Sequence, residues 1–203
     1  MRTFAWFALF ASPLFAGCGG KNASLSAPSY DPSGMAQAAV SQYDKNGNGS
    51  LEGAELDAIP SLKFALSAID KNKDKAISAD ELTSRFEAYK AADVGVLGVA
   101  CTVKLNNNIL AGAVVTFVPE DCMKGSVKGG SGTSRDDGAA EIKGDGGVPG
   151  LSYGLYKITV SKKNAGGTEE LPARYHAQTI LGREVFADAR GGSPTIELNL
   201  TSP

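Results

Sequence analysis

Asp44 to Glu55 and Asp70 to Glu81 are two twelve-residue stretches that repeat one arrangement of oxygen-bearing side chains. Asp44 and Asp70 open them, Asn46 and Asn72 stand third, Asn48 and Asp74 fifth, and Glu55 and Glu81 close them. The seventh residue is Ser50 or Ala76, the ninth Glu52 or Ser78, and the eighth is apolar in both, Leu51 and Ile77. Asp and Asn favour turns unaided, because their side chains bond nearby backbone N–H groups. One such stretch would need no further account. Two with the same apolar eighth position and the same closing Glu constrain the chain to a pair of like loops.

On these residues, positions 31 to 90 resemble the EF-hand family. The resemblance implies calcium, a hard cation that takes six to eight oxygens from loop positions 1, 3, 5, 7, 9 and 12, with a sharp turn at 6. The implied first set is Asp44, Asn46, Asn48, the carbonyl of Ser50, Glu52 beside a water, and Glu55 as a bidentate closer. The implied second set is Asp70, Asn72, Asp74, the carbonyl of Ala76, Ser78 and Glu81. Gly49 suits the turn of the first loop, but Lys75 departs from the pattern in the second. A residue with a Cβ at φ > 0 costs roughly 1–2 kcal/mol, so the second site is expected to be the weaker.

The flanking segments read as helices. Asp31-Pro32 supplies a cap and an N1 proline before Met35, Ala36, Ala39, Val40 and Tyr43 at helical spacing. Pro60 starts a helix carrying Leu62, Leu66 and Ile69, and Ser78 to Glu81 is a capping box before Leu82, Phe86 and Tyr89. Only residues 56 to 69 separate the loops, which predicts short inner helices.

Residues 1–17 read as a targeting leader: Arg2, an apolar stretch from Phe4 to Phe15, then Ala16-Gly17. That stretch is shorter than the roughly twenty residues a spanning helix needs. Leu14 to Cys18 resembles the bacterial lipoprotein signal, with Phe15 where that family has Leu. The resemblance implies lipidation of Cys18, anchoring to a membrane through the N-terminal lipid, and a place in the cell envelope, on the outer-membrane or periplasmic face. Residues 18–30 are expected to be a tether. Loss of Arg2 with the leader takes the net charge from −2 to −3, which argues against nucleic acid as a partner. Cys101 and Cys122 are the other cysteines, and export would permit a disulfide between them.

After residue 95 the apolar period falls to two. Val99, Cys101, Val103 and Leu105 alternate with small or polar residues, as do Tyr156, Ile158 and Val160, and Ile196, Leu198 and Leu200. Further strands are expected at 113–118, 139–143 and 183–187. The nine glycines between Glu120 and Gly150 predict long loops around one short strand. Leu110 to Pro119, the turn Thr133 to Gly138, and Pro149 to Val160 together resemble the carboxypeptidase-regulatory-like, transthyretin-like domains of bacterial lipoproteins. Leu151 to Leu155 is an insertion in that pattern. This resemblance implies a seven-stranded sandwich and no activity.

His176 is the sole histidine, too few for a zinc hydrolase, and no nucleophile motif or phosphate loop is present. No enzyme is expected. The expected fold is therefore α+β in two domains, a small all-α EF-hand pair over 31–92 and an antiparallel transthyretin- or Ig-like β-sandwich over 95–203. The expected function is calcium binding in a lipid-anchored envelope protein whose β part engages a protein partner or is structural. The alternative is a carbohydrate-binding envelope module with calcium as a structural ion; of the aromatics that could stack sugars Tyr153, Tyr156 and Tyr175 remain, and Tyr156 faces inward on the alternation. The only tryptophan, Trp6, lies in the leader.

Overall fold

The computed structural model describes residues 26–187 and 195–202. The leader and Cys18 lie outside them. In chain order the elements are α1 (Pro32–Tyr43), β1 (Ser50–Glu52), α2 (Ala54–Asp57), α3 (Pro60–Ile69), β2 (Ala76–Ser78) and α4 (Ala79–Ala92). There follow β3 (Ala100–Leu105), β4 (Asn108–Ile109), β5 (Val114–Pro119), β6 (Gly130–Thr133), β7 (Ala139–Glu141) and β8 (Lys143–Gly144). The last are β9 (Gly154–Ser161), β10 (Leu181–Val185) and β11 (Thr195–Leu200).

The helices form for the reasons the sequence suggests. The Asp31 carboxylate caps α1 by accepting from the Gly34 N–H, with Pro32 at N1, and Pro60 opens α3. Ser78 and Glu81 form a reciprocal capping box at α4. Leu62, Ile69, Leu82, Phe86 and Tyr89 are all buried.

The strands make three sheets: β1–β2, a five-stranded sheet ordered β10-β9-β5-β6-β8, and a four-stranded sheet ordered β11-β3-β4 with β7 also on β3. Alternation puts every second residue of a strand on one face. In the five-stranded sheet Tyr156, Ile158, Val160, Val115 and Phe117 share the face that meets the buried Cys101, Val103, Leu198 and Leu200 of the four-stranded sheet. The opposite face carries Gly182, Glu184, Leu155 and Lys157, and α3 lies across it at β9 and β10.

This corrects the expected fold class. The described chain is mostly β, with four short helices, and the helical half holds a sheet of its own, so no all-α unit exists. The β half is not purely antiparallel either, because β11 runs parallel to β3 from Thr195↔Ala100 to Leu200↔Leu105. Helices and sheets share one continuous core. The physical reason is that periodicity reports that a segment has an apolar face without reporting what covers it. The α3 stripe is covered by a sheet as well as by its neighbouring helices. Tyr30, counted with the tether from sequence, also belongs to this core, and its hydroxyl donates to the Tyr153 carbonyl at 2.8 Å.

The glycine-rich stretch is more ordered than composition suggested. It contains β6, β7 and β8. Gly130 packs so closely on its neighbour that a Cβ would sit 2.6 Å from the Lys143 carbonyl oxygen. Glycine there allows backbone to approach backbone, a use that composition alone reads as a loop.

The disulfide is not formed. Cys101 and Cys122 are both buried free thiols, each pushed up to about 12 by burial. Cys101 belongs to the four-stranded sheet, whereas Cys122 follows β5 of the other sheet on a 3₁₀ turn packed against α1. β3 and β5 do not pair, so the order of the two cysteines along the chain does not set them on neighbouring strands.

Candidate metal centre

α1 ends at Asp44, and the loop that follows folds around its own side-chain oxygens. The Asp44 Oδ1 accepts from the Gly47 N–H at 2.7 Å and Oδ2 from the Gly49 N–H at 2.8 Å. Asn46 Oδ1 accepts from the Asn48 N–H and Asn48 Oδ1 from the Ser50 N–H, both at 2.9 Å. The Glu55 carboxylate, on α2, reaches back to the N–H groups of Lys45 at 2.7 Å, Asn46 at 3.2 Å and Glu52 at 3.1 Å. Those backbone donors, Glu52 first, hold its carboxyl below the usual range, so it stands ready as an anion. Glu52 Oε1 accepts from both the Asn46 and Asn48 amides.

The second loop repeats the backbone bonds of this scaffold. Asp70 accepts from the N–H groups of Lys73 at 2.6 Å and Lys75 at 2.9 Å. Asn72 accepts from Asp74 at 3.0 Å, and Asp74 from Ala76 at 2.8 Å. Glu81 accepts from the Lys71 N–H at 3.0 Å and from the Ser78 N–H and hydroxyl at 2.9 and 2.8 Å. Burial works upward on the Glu81 carboxyl, but the Ser78, Lys71 and Asn72 donors outweigh it and leave it lowered. β1 and β2 join the loops, with Leu51 paired to Ile77 and both fully buried.

Backbone strain separates the two loops. Gly47 and Gly49 adopt φ of 74° and 83°, where glycine carries no Cβ penalty. Lys73 and Lys75 take the same conformation at 64° and 69°. The strain at Lys75 was legible in the sequence. The matching strain at Lys73 was not read there, although the glycine of the first loop at that position signals it.

The donor set fits a hard cation. Every candidate ligand is oxygen, supplied by carboxylates, amides, hydroxyls and main-chain carbonyls, as calcium prefers. Among the described residues no cluster of three or more His, Cys, Asp or Glu side chains is gathered as metal ligands. Any cation held here therefore depends on the mixed oxygen set of a whole loop. The residues that would hold it are those named from sequence: Asp44, Asn46, Asn48, Ser50, Glu52 and Glu55, then Asp70, Asn72, Asp74, Ala76, Ser78 and Glu81.

The other candidates fall away from any site. His176 is half-buried and bonded through Nε2 to the Leu171 carbonyl at 3.0 Å. Tyr153, Tyr156 and Tyr175 are all buried, so none of them offers a face to a sugar. Comparison of the chain with protein-family models, curated proteins and solved structures finds no match.

Sequence reading also missed two buried polar ties between helices and sheet. Ser61, at the start of α3, donates to Glu120 Oε1 at 2.7 Å, and Lys157 Nζ lies 3.3 Å from Glu120 Oε2. Burial raises the Glu120 carboxyl against the opposing pull of Ser61 and Lys157. Arg85 of α4 forks onto Glu184 of β10, with Nε–Oε1 at 2.6 Å and Nη2–Oε2 at 3.0 Å, and Tyr89 donates to the same carboxylate. An Arg amid an apolar helical face was the available signal for the second tie.

Proposed function

We propose that this is a calcium-binding protein of the cell envelope, carried on a lipid at Cys18, whose two EF-hand-type loops hold the cation as a structural element. The observation that carries the calcium reading is the shared pattern of backbone N–H bonds to side-chain oxygens in two loops joined by Leu51 and Ile77. In that scaffold oxygens of positions 1, 3, 5 and 12 all accept from backbone N–H groups of their own loop, which supports the reading. Loops of this kind in extracellular modules bind at about 10⁻⁴ to 10⁻³ M, near the calcium level outside many cells, which suits a structural ion. The short connection between the loops and the packing of α3 on the sheet also favour a static pair.

Calorimetric calcium titration tests the reading, and two sites of unequal affinity are expected. Lys75→Gly removes strain of roughly 1–2 kcal/mol and a positive charge, so it tightens the weaker site by about tenfold or more. Absence of calcium binding overturns the proposal. Two equal sites that Lys75→Gly leaves unchanged overturn the assigned asymmetry.

The anchor rests on the leader, with small residues immediately before Cys18. Several acyl chains on one cysteine, at about 0.8 kcal/mol per buried CH₂, suffice for stable attachment. The native protein is expected to partition with membranes and to carry a lipid mass on Cys18, and Cys18→Ser to abolish both. Recovery of native protein as a soluble species with an unmodified thiol defeats the lipid reading and leaves the calcium reading standing.

A further inference from the structure

We infer that the buried Arg85–Glu184–Tyr89 cluster couples the second loop to the edge of the five-stranded sheet, so that a cation in the loop and an intact cluster strengthen each other. This inference rests on the calcium reading above. Glu81, which closes the second loop, lies one helical turn before Arg85 on α4, and Tyr89 lies one turn further on. An α-helix of this length moves as a rigid rod, so a shift at Glu81 is transmitted to Arg85 and Tyr89. Those two side chains meet the carboxylate of Glu184, whose side chain is 1 % exposed. A buried charge tolerates little departure from its paired geometry, because water cannot replace a lost partner.

The other side of the loop is held in the same way. α3 ends at Ile69, with the Asp70 N–H bonded to the Leu66 carbonyl at 2.8 Å, and its first turn is fixed to the sheet through Ser61 and Glu120. Both helices that bracket the second loop are thus tied to the sheet at points distant from the loop. The first loop's entering helix α1 carries no member of the cluster: it meets the β half through Gln42 and Asp121 at 3.0 Å, through the 3₁₀ turn of Cys122, and through the Tyr30–Tyr153 bond just before its start. Both flanks of the second loop, which carries the strained lysines, are therefore fixed to the β half. By reciprocity, whatever factor the cluster adds to cation affinity the cation returns to the cluster.

The test uses the full chain with calcium chloride as the probe, combining calorimetry with hydrogen exchange. Calcium should slow exchange in β10 and β9 more than in β3 and β11, which the cluster does not touch. Tyr89→Phe keeps the side-chain volume and the Arg85 fork, and should lower the affinity of the second site by about fivefold or more while moving the first by less than about twofold. Unchanged affinity in Tyr89→Phe overturns the coupling, and so does equal slowing in both sheets, which is the mark of global stabilisation alone. Calcium binding without either effect refutes the coupling and spares the calcium reading, whereas no binding refutes both.

Discussion

Arg85→Met should lower the free energy of unfolding by about 3–5 kcal/mol, because it leaves the Glu184 carboxylate buried without its cation. Methionine fills much of the volume that the guanidinium occupies against Phe186, which it overlies at 4.5 Å. The loss is therefore one of charge pairing more than of packing. The pair itself is no proof of net stabilisation, since removing two charges from water costs about as much as their attraction returns. The combined variant Arg85→Met, Tyr89→Phe, Glu184→Leu should accordingly recover most of the loss, because no polar member of the cluster is left stranded. Urea unfolding of both variants checks this. A single variant within about 1 kcal/mol of the native protein would mean that Glu184 is not desolvated as the structure has it.

Gly182→Ala is expected to cost about 3 kcal/mol, the upper part of the range for overpacking. A Cβ at this position would overlap the backbone of Pro60 and Ser61, where the start of α3 crosses β10. Side chains can rotate away from a new methyl group, but backbone cannot, so α3 must lift from the sheet. Lifting it also strains the Ser61 bond to Glu120, a buried carboxylate held otherwise by Lys157 Nζ at 3.3 Å. Thermal unfolding of Gly182→Ala beside Gly98→Ala separates crowding from loss of glycine. Neither glycine has a positive φ, but Gly98 meets nothing within 4 Å. Equal losses in the two variants would remove the crowding argument.

Which features were legible in the sequence follows from how far apart their causes lie along the chain. The loops are local objects. Asp44 bonds to Gly47 and Gly49, Asn46 to Asn48, and Glu55 to residues within ten positions, so spacing alone specifies them. The caps at Asp31 and Ser78, the proline start of α3, the strain at Lys75 and the inward residues of β3, β9 and β11 are local in the same sense.

The arrangement of the layers was not legible, and the reason is equally physical. Alternation along β11 is the same whether its neighbour runs parallel or antiparallel, so the parallel pairing with β3 leaves no trace in the pattern. Gly130 and Gly182 look like loop or strand-weakening residues until the element that crosses each one is known. The separation of Cys101 from Cys122 depends on which sheet each strand joins. The Arg85–Glu184 and Ser61–Glu120 ties span 99 and 59 positions, so even where Arg85 stands out on an apolar face nothing local names its partner. The sequence by itself determined the two oxygen-lined loops, their caps and the faces of their helices. Only the tertiary structure decided what those faces meet, because burial and charge pairing across such distances belong to the packed chain and to no segment of it.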